Sequence, residues 1–163
     1  MVVVVDAITL HRPLAAGQVV VLRAATVAAQ EQQIKALQAV RAAAALTAAV
    51  VVMYAGEVIE SGATAEVLGR PFHPYTMGLY RAFPDLHGSG GTLVPIEGSP
   101  PNLISPPEGC SFADRCPFVE PRCRAERPPL LDVASGSRAA CWRVSEADAL
   151  RVRAGEAETW LRS

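Results

Sequence analysis

The four cysteines of this chain lie in one segment and are the side chains best suited to bind a ligand. Cys110, Cys116, Cys123 and Cys141 are separated by five, six and seventeen residues. Four thiolates are a ligand set for a structural zinc ion or for an iron–sulfur cluster. The intervals exceed the about two to four residues typical of zinc knuckles, and a cluster, which is wider than one ion, tolerates them better. Two disulfide bonds, or four thiols without a ligand, are the remaining alternatives.

The other candidate residues for chemistry give weaker patterns. His11, His73 and His87 all precede the cysteines, so a mixed Cys/His site would have to bring together residues that are far apart in sequence. We expect His73, which stands just before a predicted helix, to cap or pack there. The sequence contains no Gly-x4-Gly-Lys-Ser/Thr phosphate-binding loop, and the single lysine, Lys35, lies in a Gln- and Ala-rich stretch. We therefore predict no catalytic residue and no nucleotide-binding residue.

Composition and charge exclude several functional classes. The 163 residues carry a formal charge of −1, which argues against a general nucleic-acid binder. Half of the residues are hydrophobic and 19% are charged, so disorder of the whole chain is not expected. The longest uncharged stretch, 42–56, is too short to cross a bilayer, and the amino terminus lacks the positive start of a signal peptide. We predict a cytoplasmic protein without membrane insertion.

The elements that must position the cysteines form an α+β pattern. Val2–Val5 and Gln18–Leu22 are β-branched and predict strands, and residues 24–46 have high helix propensity. Val50–Tyr54 and Glu57–Glu60 predict a β-hairpin around the turn Ala55-Gly56. We expect Ser61-Gly62 to end the second strand.

Further along the chain, the positions of capping residues and prolines predict short helices and then an irregular region. Thr64 is a candidate N-cap for a helix over Ala65–Leu68, and Pro74 suits the first turn of a helix to about Phe83. The prolines between 95 and 107 exclude regular helix, and Asp148–Trp160 predicts a final helix. We expect Tyr54 and Tyr75 to be core rings, and Trp142 to cover the cysteine segment. The predicted divisions are 1–87, 88–145 and 146–163.

Several motifs in the middle and later parts of the sequence resemble one family. The motifs are Met53–Gly62, Pro71–Thr76, Pro84, Gly98–Asn102, Gly109–Pro117, Cys123 and Ala140–Trp142. Their order and spacing over about residues 50–143 resemble the C-terminal part of ATP-binding subunits of bacterial oligopeptide/dipeptide ABC importers.

The resemblance implies a fold and a ligand. Residues 1–87 would be a strand–helix–strand remnant of the ATPase domain with the hairpin, 88–145 the cysteine-braced C-terminal extension of the family, and 146–163 a tail with a short helix. In that family the four cysteines can hold a [4Fe–4S] cluster. By position the ligands here would be Cys110, Cys116, Cys123 and Cys141, with zinc as the alternative.

The first 49 residues match the family poorly. The phosphate-binding loop and the Leu-Ser-Gly-Gly-Gln signature are absent, Ala7 follows Asp6 where the family has a catalytic Glu, and Gln38 stands at the expected position of the switch histidine. We therefore expect a truncated or altered ATPase portion that binds ATP poorly and does not hydrolyse it alone.

These observations lead to three hypotheses for function. The first is a non-catalytic fragment of a peptide-importer ATP-binding subunit, peripheral at the inner face of the plasma membrane. Its partners would be a second ATPase subunit and transmembrane permease subunits. The second is a stand-alone iron–sulfur or zinc protein with a regulatory or redox role. The third is a degenerate remnant without function.

Overall fold

The computed structural model describes residues 2–4, 20–22, 49–81 and 96–161. Within these ranges strands and short helices combine into a mixed α+β fold, as the sequence predicts. The helix predicted over 24–46, the connector His87–Gly91, and the positions Asp6, Ala7, Lys35 and Gln38 lie outside the described residues.

The described strands form one six-stranded mixed sheet in the order β2-β1-β3-β4-β6-β5. The first strand pairs in parallel with its neighbours on both sides, and the other pairings are antiparallel. The two amino-terminal strands lie within the ranges predicted for them. The strands are β1 (Val2–Val4), β2 (Val20–Leu22), β3 (Ala49–Tyr54), β4 (Glu57–Ala63), β5 (Leu131–Asp132) and β6 (Arg138–Ala139).

The hairpin of β3 and β4 forms around the predicted turn. Ala55 and Gly56 have φ angles of 49° and 82°, and a two-residue turn with both φ values positive matches the right-handed twist of the strands it joins. The predicted end of the second strand at Glu60 is wrong, because β4 continues to Ala63. The hairpin pairing continues past Glu60, since Ser61, Gly62 and Ala63 pair with β3. A Cβ at Gly62 would lie 2.2 Å from the Ser137 hydroxyl oxygen, so only glycine permits this approach.

The helices are short. They are α1 (Thr64–Gly69), α2 (Pro74–Arg81), α3 (Pro121–Ala125) and α4 (Ala147–Ala154). Thr64 is not the N-cap that we expected; Ala63 precedes the first helical residue and no side chain caps the helix. Helix α2 begins at Pro74, as predicted, and the predicted end at Phe83 lies outside the described residues. The single final helix is also wrong, since α4 ends at Ala154 and a 3-10 turn, Ala157–Trp160, follows.

The core lies between the hairpin, α2 and the carboxy-terminal segment. Tyr54, Tyr75 and Phe112 pack with ring centroids 4.7 to 5.3 Å apart, which confirms both tyrosines as core residues. Trp160 is buried against Gly78, where a Cβ would lie 2.6 Å from the indole ring. The carboxy-terminal segment is therefore part of the same core.

No helix within the described ranges is both long enough and apolar enough to span a membrane.

A four-cysteine cavity as candidate functional site

All four cysteines lie in or at the edge of a loop-rich region, residues 96–143, which we call the cysteine lobe. Cys110 and Cys116 flank the 3-10 turn Ala113–Arg115, and Cys123 lies in α3. Cys141 follows β6, with only Ala140 between them. The lobe must hold these positions together with little regular structure of its own.

Backbone contacts join the first and third cysteines. The amide of Cys110 donates a hydrogen bond to the Cys123 carbonyl at 2.8 Å. This approach requires Gly109, because a Cβ there would lie 2.3 Å from the Cys123 carbonyl oxygen and 2.5 Å from that of Arg124. The glycine thus sets the distance between the Cys110 loop and α3.

The sheet places the fourth cysteine. Glu60 and Ser61 of β4 pair with Ala139 and Arg138 of β6, and the Ala140 amide donates to the Ile59 carbonyl at 2.8 Å. Cys141 therefore enters the lobe from a strand anchored on the hairpin.

The four cysteines line one cavity of about 20 Å³, which we call the inner cavity. Cys116, Cys123 and Cys141 are 8–9% exposed, whereas Cys110 is partly exposed. All four thiols are free, without a disulfide bond. The sequence thus identified four residues that the fold brings to one place.

Backbone amides lie near three of the sulfur atoms. The Arg143 amide donates to Cys141 Sγ at 3.4 Å. The nearby amides of Phe118, and of Phe112 and Ala113, act to lower the pKa of Cys116 and of Cys110, respectively. Amide dipoles near three of the four sulfurs therefore favour the thiolate form.

Burial acts in the opposite direction. It raises the pKa of Cys116 and of Cys141 to about 12 and also raises that of Cys110, and the neighbouring cysteines raise all three further. Without a positive charge inside the cavity, these three cysteines therefore stay protonated at neutral pH. A metal cation would reverse this balance, because thiolate ligands are deprotonated on binding.

The donor set fits a thiolate-bound group, but the thiols are not arranged as a closed ligand shell. Within the described ranges no group of three or more His, Cys, Asp or Glu side chains is placed to hold a metal ion. A cavity of about 20 Å³ has room for about one water molecule. Binding of a larger group would require the loops that carry the cysteines to move apart.

Trp142 forms part of the wall of the inner cavity and stacks on Arg122. Trp142 lines the cavity, as expected from its place beside Cys141, and its Nε1 donates to the Glu126 carbonyl at 3.1 Å. The Arg122 guanidinium lies 3.6 Å from the centroid of the indole ring. The cation–π contact with Arg122 holds the indole ring at the cavity wall.

His73 and Glu60 form a buried polar contact beside the cavity. His73 Nδ1 accepts the Tyr75 amide at 3.0 Å, which confirms its predicted place at the start of α2, and burial lowers the pKa of His73 to about 3. Glu60, which sequence reasoning missed, accepts the amides of Phe72 and His73 at 2.6 and 3.1 Å. Burial raises the pKa of Glu60 to about 7. The strand pattern gave no signal for a buried carboxyl at this position.

Arg115 is a second residue that sequence reasoning missed. Its guanidinium donates to the carbonyls of Ile96 and Glu97 at 2.7 and 2.9 Å and to the Tyr54 hydroxyl at 3.2 Å. Arg115 thereby fastens the start of the cysteine lobe to the core. The fork geometry of arginine suits three acceptors of this kind.

Part of the hairpin, the short helices and most of the cysteine lobe lie in a segment that matches a known family. Residues 59–123 match the family described as oligopeptide/dipeptide transporter, C-terminal region. The match contains three of the four cysteines and ends before Cys141. The resemblance stated from the motifs is thereby confirmed.

The relatives that the chain is similar to are ATP-binding proteins of peptide transport. The oligopeptide transport ATP-binding protein OppD of Escherichia coli is 42% identical over 97 residues, which are 60% of this chain and 28% of that protein. OppD of Mycobacterium tuberculosis is 46% identical over 109 residues, which are 63% of this chain and 18% of that protein. The chain thus spans less than a third of the length of these relatives.

Proposed function

We propose that this chain supplies the C-terminal region of an ATP-binding subunit in a peptide ABC importer. The family match of residues 59–123 carries this proposal, and the relatives named for oligopeptide transport support it. In such an importer the region would work at the inner face of the membrane, with a second ATP-binding subunit and transmembrane permease subunits as partners. The role is non-catalytic, and the chain alone does not hydrolyse ATP.

We further infer that the four cysteines hold one [4Fe–4S] cluster, with a single zinc ion as the alternative. The inner cavity that the four cysteines share supports this assignment, as do the amide that donates to Cys141 and the nearby amides that act to lower the pKa of Cys110 and Cys116. A bound cluster would link three segments: the loop with Cys110 and Cys116, helix α3 with Cys123, and the segment after β6 with Cys141. It would also supply a centre for one-electron exchange. A loop-rich lobe of this size gains stability from such a staple.

The residues of the chain would divide this work among them. The four cysteines supply the thiolates, the amides of Phe112, Phe118 and Arg143 stabilise negative charge on sulfur, and Trp142 limits the access of water. Hydrogen bonds to sulfur are one of the protein's means of setting the potential of a cluster.

Peptide uptake by a chimaera tests the role in the importer. Residues 49–143 of this chain would replace the corresponding segment of E. coli OppD in cells that lack the native subunit, and uptake of a labelled oligopeptide would be measured. We expect uptake to be restored. A chimaera that accumulates normally, as shown by immunoblot, but supports no uptake would contradict the role.

Metal analysis tests the ligand. Protein purified without oxygen would be assayed for iron, acid-labile sulfide and zinc, with an absorbance scan. The cluster assignment predicts about four irons and four sulfides per chain, whereas about one zinc per chain would select the alternative. If the protein contains no iron, sulfide or zinc and has four titratable thiols, both the cluster assignment and the zinc assignment are contradicted.

A further inference from the structure

Cys110 differs from the other three cysteines in its surroundings. It is the partly exposed one of the four. Beside the inner cavity lies a second cavity of about 120 Å³, which we call the outer cavity. Cys110 and Pro128 line both cavities, so these two residues form the partition between them.

The outer cavity has an apolar wall and a polar mouth. Val58, Leu130 and Ala140 contribute to its wall. At the mouth the Arg127 guanidinium pairs with Glu57, and the Ser111 hydroxyl donates to the same carboxylate at 2.6 Å. The side chains of Arg127 and Glu57 are 44% and 32% exposed, so the mouth faces solvent.

Cys110 is the cysteine that connects the two cavities. It lines the inner cavity together with Cys123 and the outer cavity together with Glu57. Cys116, Cys123 and Cys141 line the inner cavity and not the outer one. A molecule in the outer cavity therefore meets Cys110 before the other three.

We propose that the outer cavity is the route by which iron and small thiols reach the inner cavity, and that Cys110 is the ligand exchanged first. This inference rests on the proposed metal site. In the exchange an incoming thiol replaces Cys110 on iron and passes its proton to the Cys110 sulfur, so neither charge nor electron count changes. The apolar wall and the internally paired mouth suit a small thiol or its iron complex better than a strongly charged chelate.

Alkylation of the metal-free chain tests the route without any cluster. Iodoacetamide replaces the thiol hydrogen by a carbamoylmethyl group and releases iodide and a proton, and peptide mass spectrometry follows each cysteine. We expect Cys110 to react about tenfold faster than each of the other three, because reactivity follows exposure. Equal rates at all four cysteines would overturn the inference.

A paired set of variants tests the cavity itself. Val58→Phe fills the outer cavity and should slow alkylation of Cys110 about tenfold by reducing access. Val152→Phe makes the same change at a residue of α4 that is 72% exposed and lines neither cavity, so it should leave the rate unchanged. An unchanged rate in Val58→Phe would contradict the route.

Iron release from the loaded chain separates this inference from the proposed metal site. With an external chelator in excess, release should be slower in Val58→Phe than in the native protein and in Val152→Phe. Release at the native rate from a loaded Val58→Phe protein would refute the route and leave the cluster standing. A chain that binds no metal would refute the cluster and with it the route for iron, whatever the alkylation rate of Cys110.

Discussion

The hairpin core and the cysteine lobe are stabilised in different ways. In the core, Val50, Val52 and Tyr54 of β3 are each no more than 2% exposed and belong to the same buried apolar cluster as Trp160. The lobe has one five-residue helix and two two-residue strands, and it depends on single contacts such as those of Gly109 and Arg115. Stability by apolar burial is shared among many residues, whereas stability by single contacts is lost with one substitution.

The largest loss of stability should come from the core tryptophan. Trp160→Ala removes a ring that is 3% exposed and packed on Gly78, and we expect the free energy of unfolding to fall by about 4 kcal/mol. Trp142→Ala, in the half-buried tryptophan of the lobe, is the matched control and should cost about 1 kcal/mol. Urea unfolding measures both. Equal losses would show that the core and the lobe do not differ as described.

The next largest effect should come from a single methyl group in the lobe. Gly109→Ala places a Cβ against the carbonyls of Cys123 and Arg124, and we expect a loss of about 3 kcal/mol and separation of Cys110 from α3. Gly69→Ala, at the last residue of α1, has no atom within 4 Å of the new Cβ and should be neutral or slightly stabilising. Hydrogen exchange at the Cys110 amide would report the local change; unchanged protection in Gly109→Ala would contradict the contact.

A pH titration should sharpen the comparison on the core side. Burial raises the pKa of Glu60 from 4.5 to about 7, so the folded state binds this proton more tightly than the unfolded state does. The contribution of Glu60 to the free energy of unfolding is therefore full below pH 4.5. It decreases by about 3 kcal/mol as the pH rises to about 7. Glu60→Gln should remove this slope in unfolding measurements between these pH values. The same slope in both proteins would refute the assignment.

The smallest effect should come from the arginine that fastens the lobe to the core. Arg115→Lys keeps the charge but loses the fork that reaches Ile96, Glu97 and Tyr54, and we expect a loss of about 1 kcal/mol. Arg138→Lys, at an exposed position of β6, is the control and should have no measurable effect. If urea unfolding gives the same value for both variants, Arg115 does not hold the lobe.

The hairpin and the cysteine set were predictable because their signals are local. β-branched alternation and the turn at Ala55-Gly56 fix β3 and β4, and the four cysteines are identified by type and spacing alone. The end of β4 was mispredicted because Ser61-Gly62 has the composition of a turn, whereas both residues pair with β3 and Gly62 lies against Ser137, which is distant in sequence. Glu60 and Arg115 were missed for the same reason, since each takes its role from contacts with distant backbone atoms that no local pattern records.

The four cysteines acting as one site is the central claim, and Cys141 tests it most directly because it lies outside the family match. The measurement is the iron, sulfide and zinc content of the native chain and of Cys141→Ser, both purified without oxygen, with the exposed-site variant Ser145→Ala as control. The account predicts about four irons and four sulfides per chain in the native and control proteins and a large loss of both in Cys141→Ser. Metal content that is unchanged in Cys141→Ser, or absent from the native chain, would contradict it.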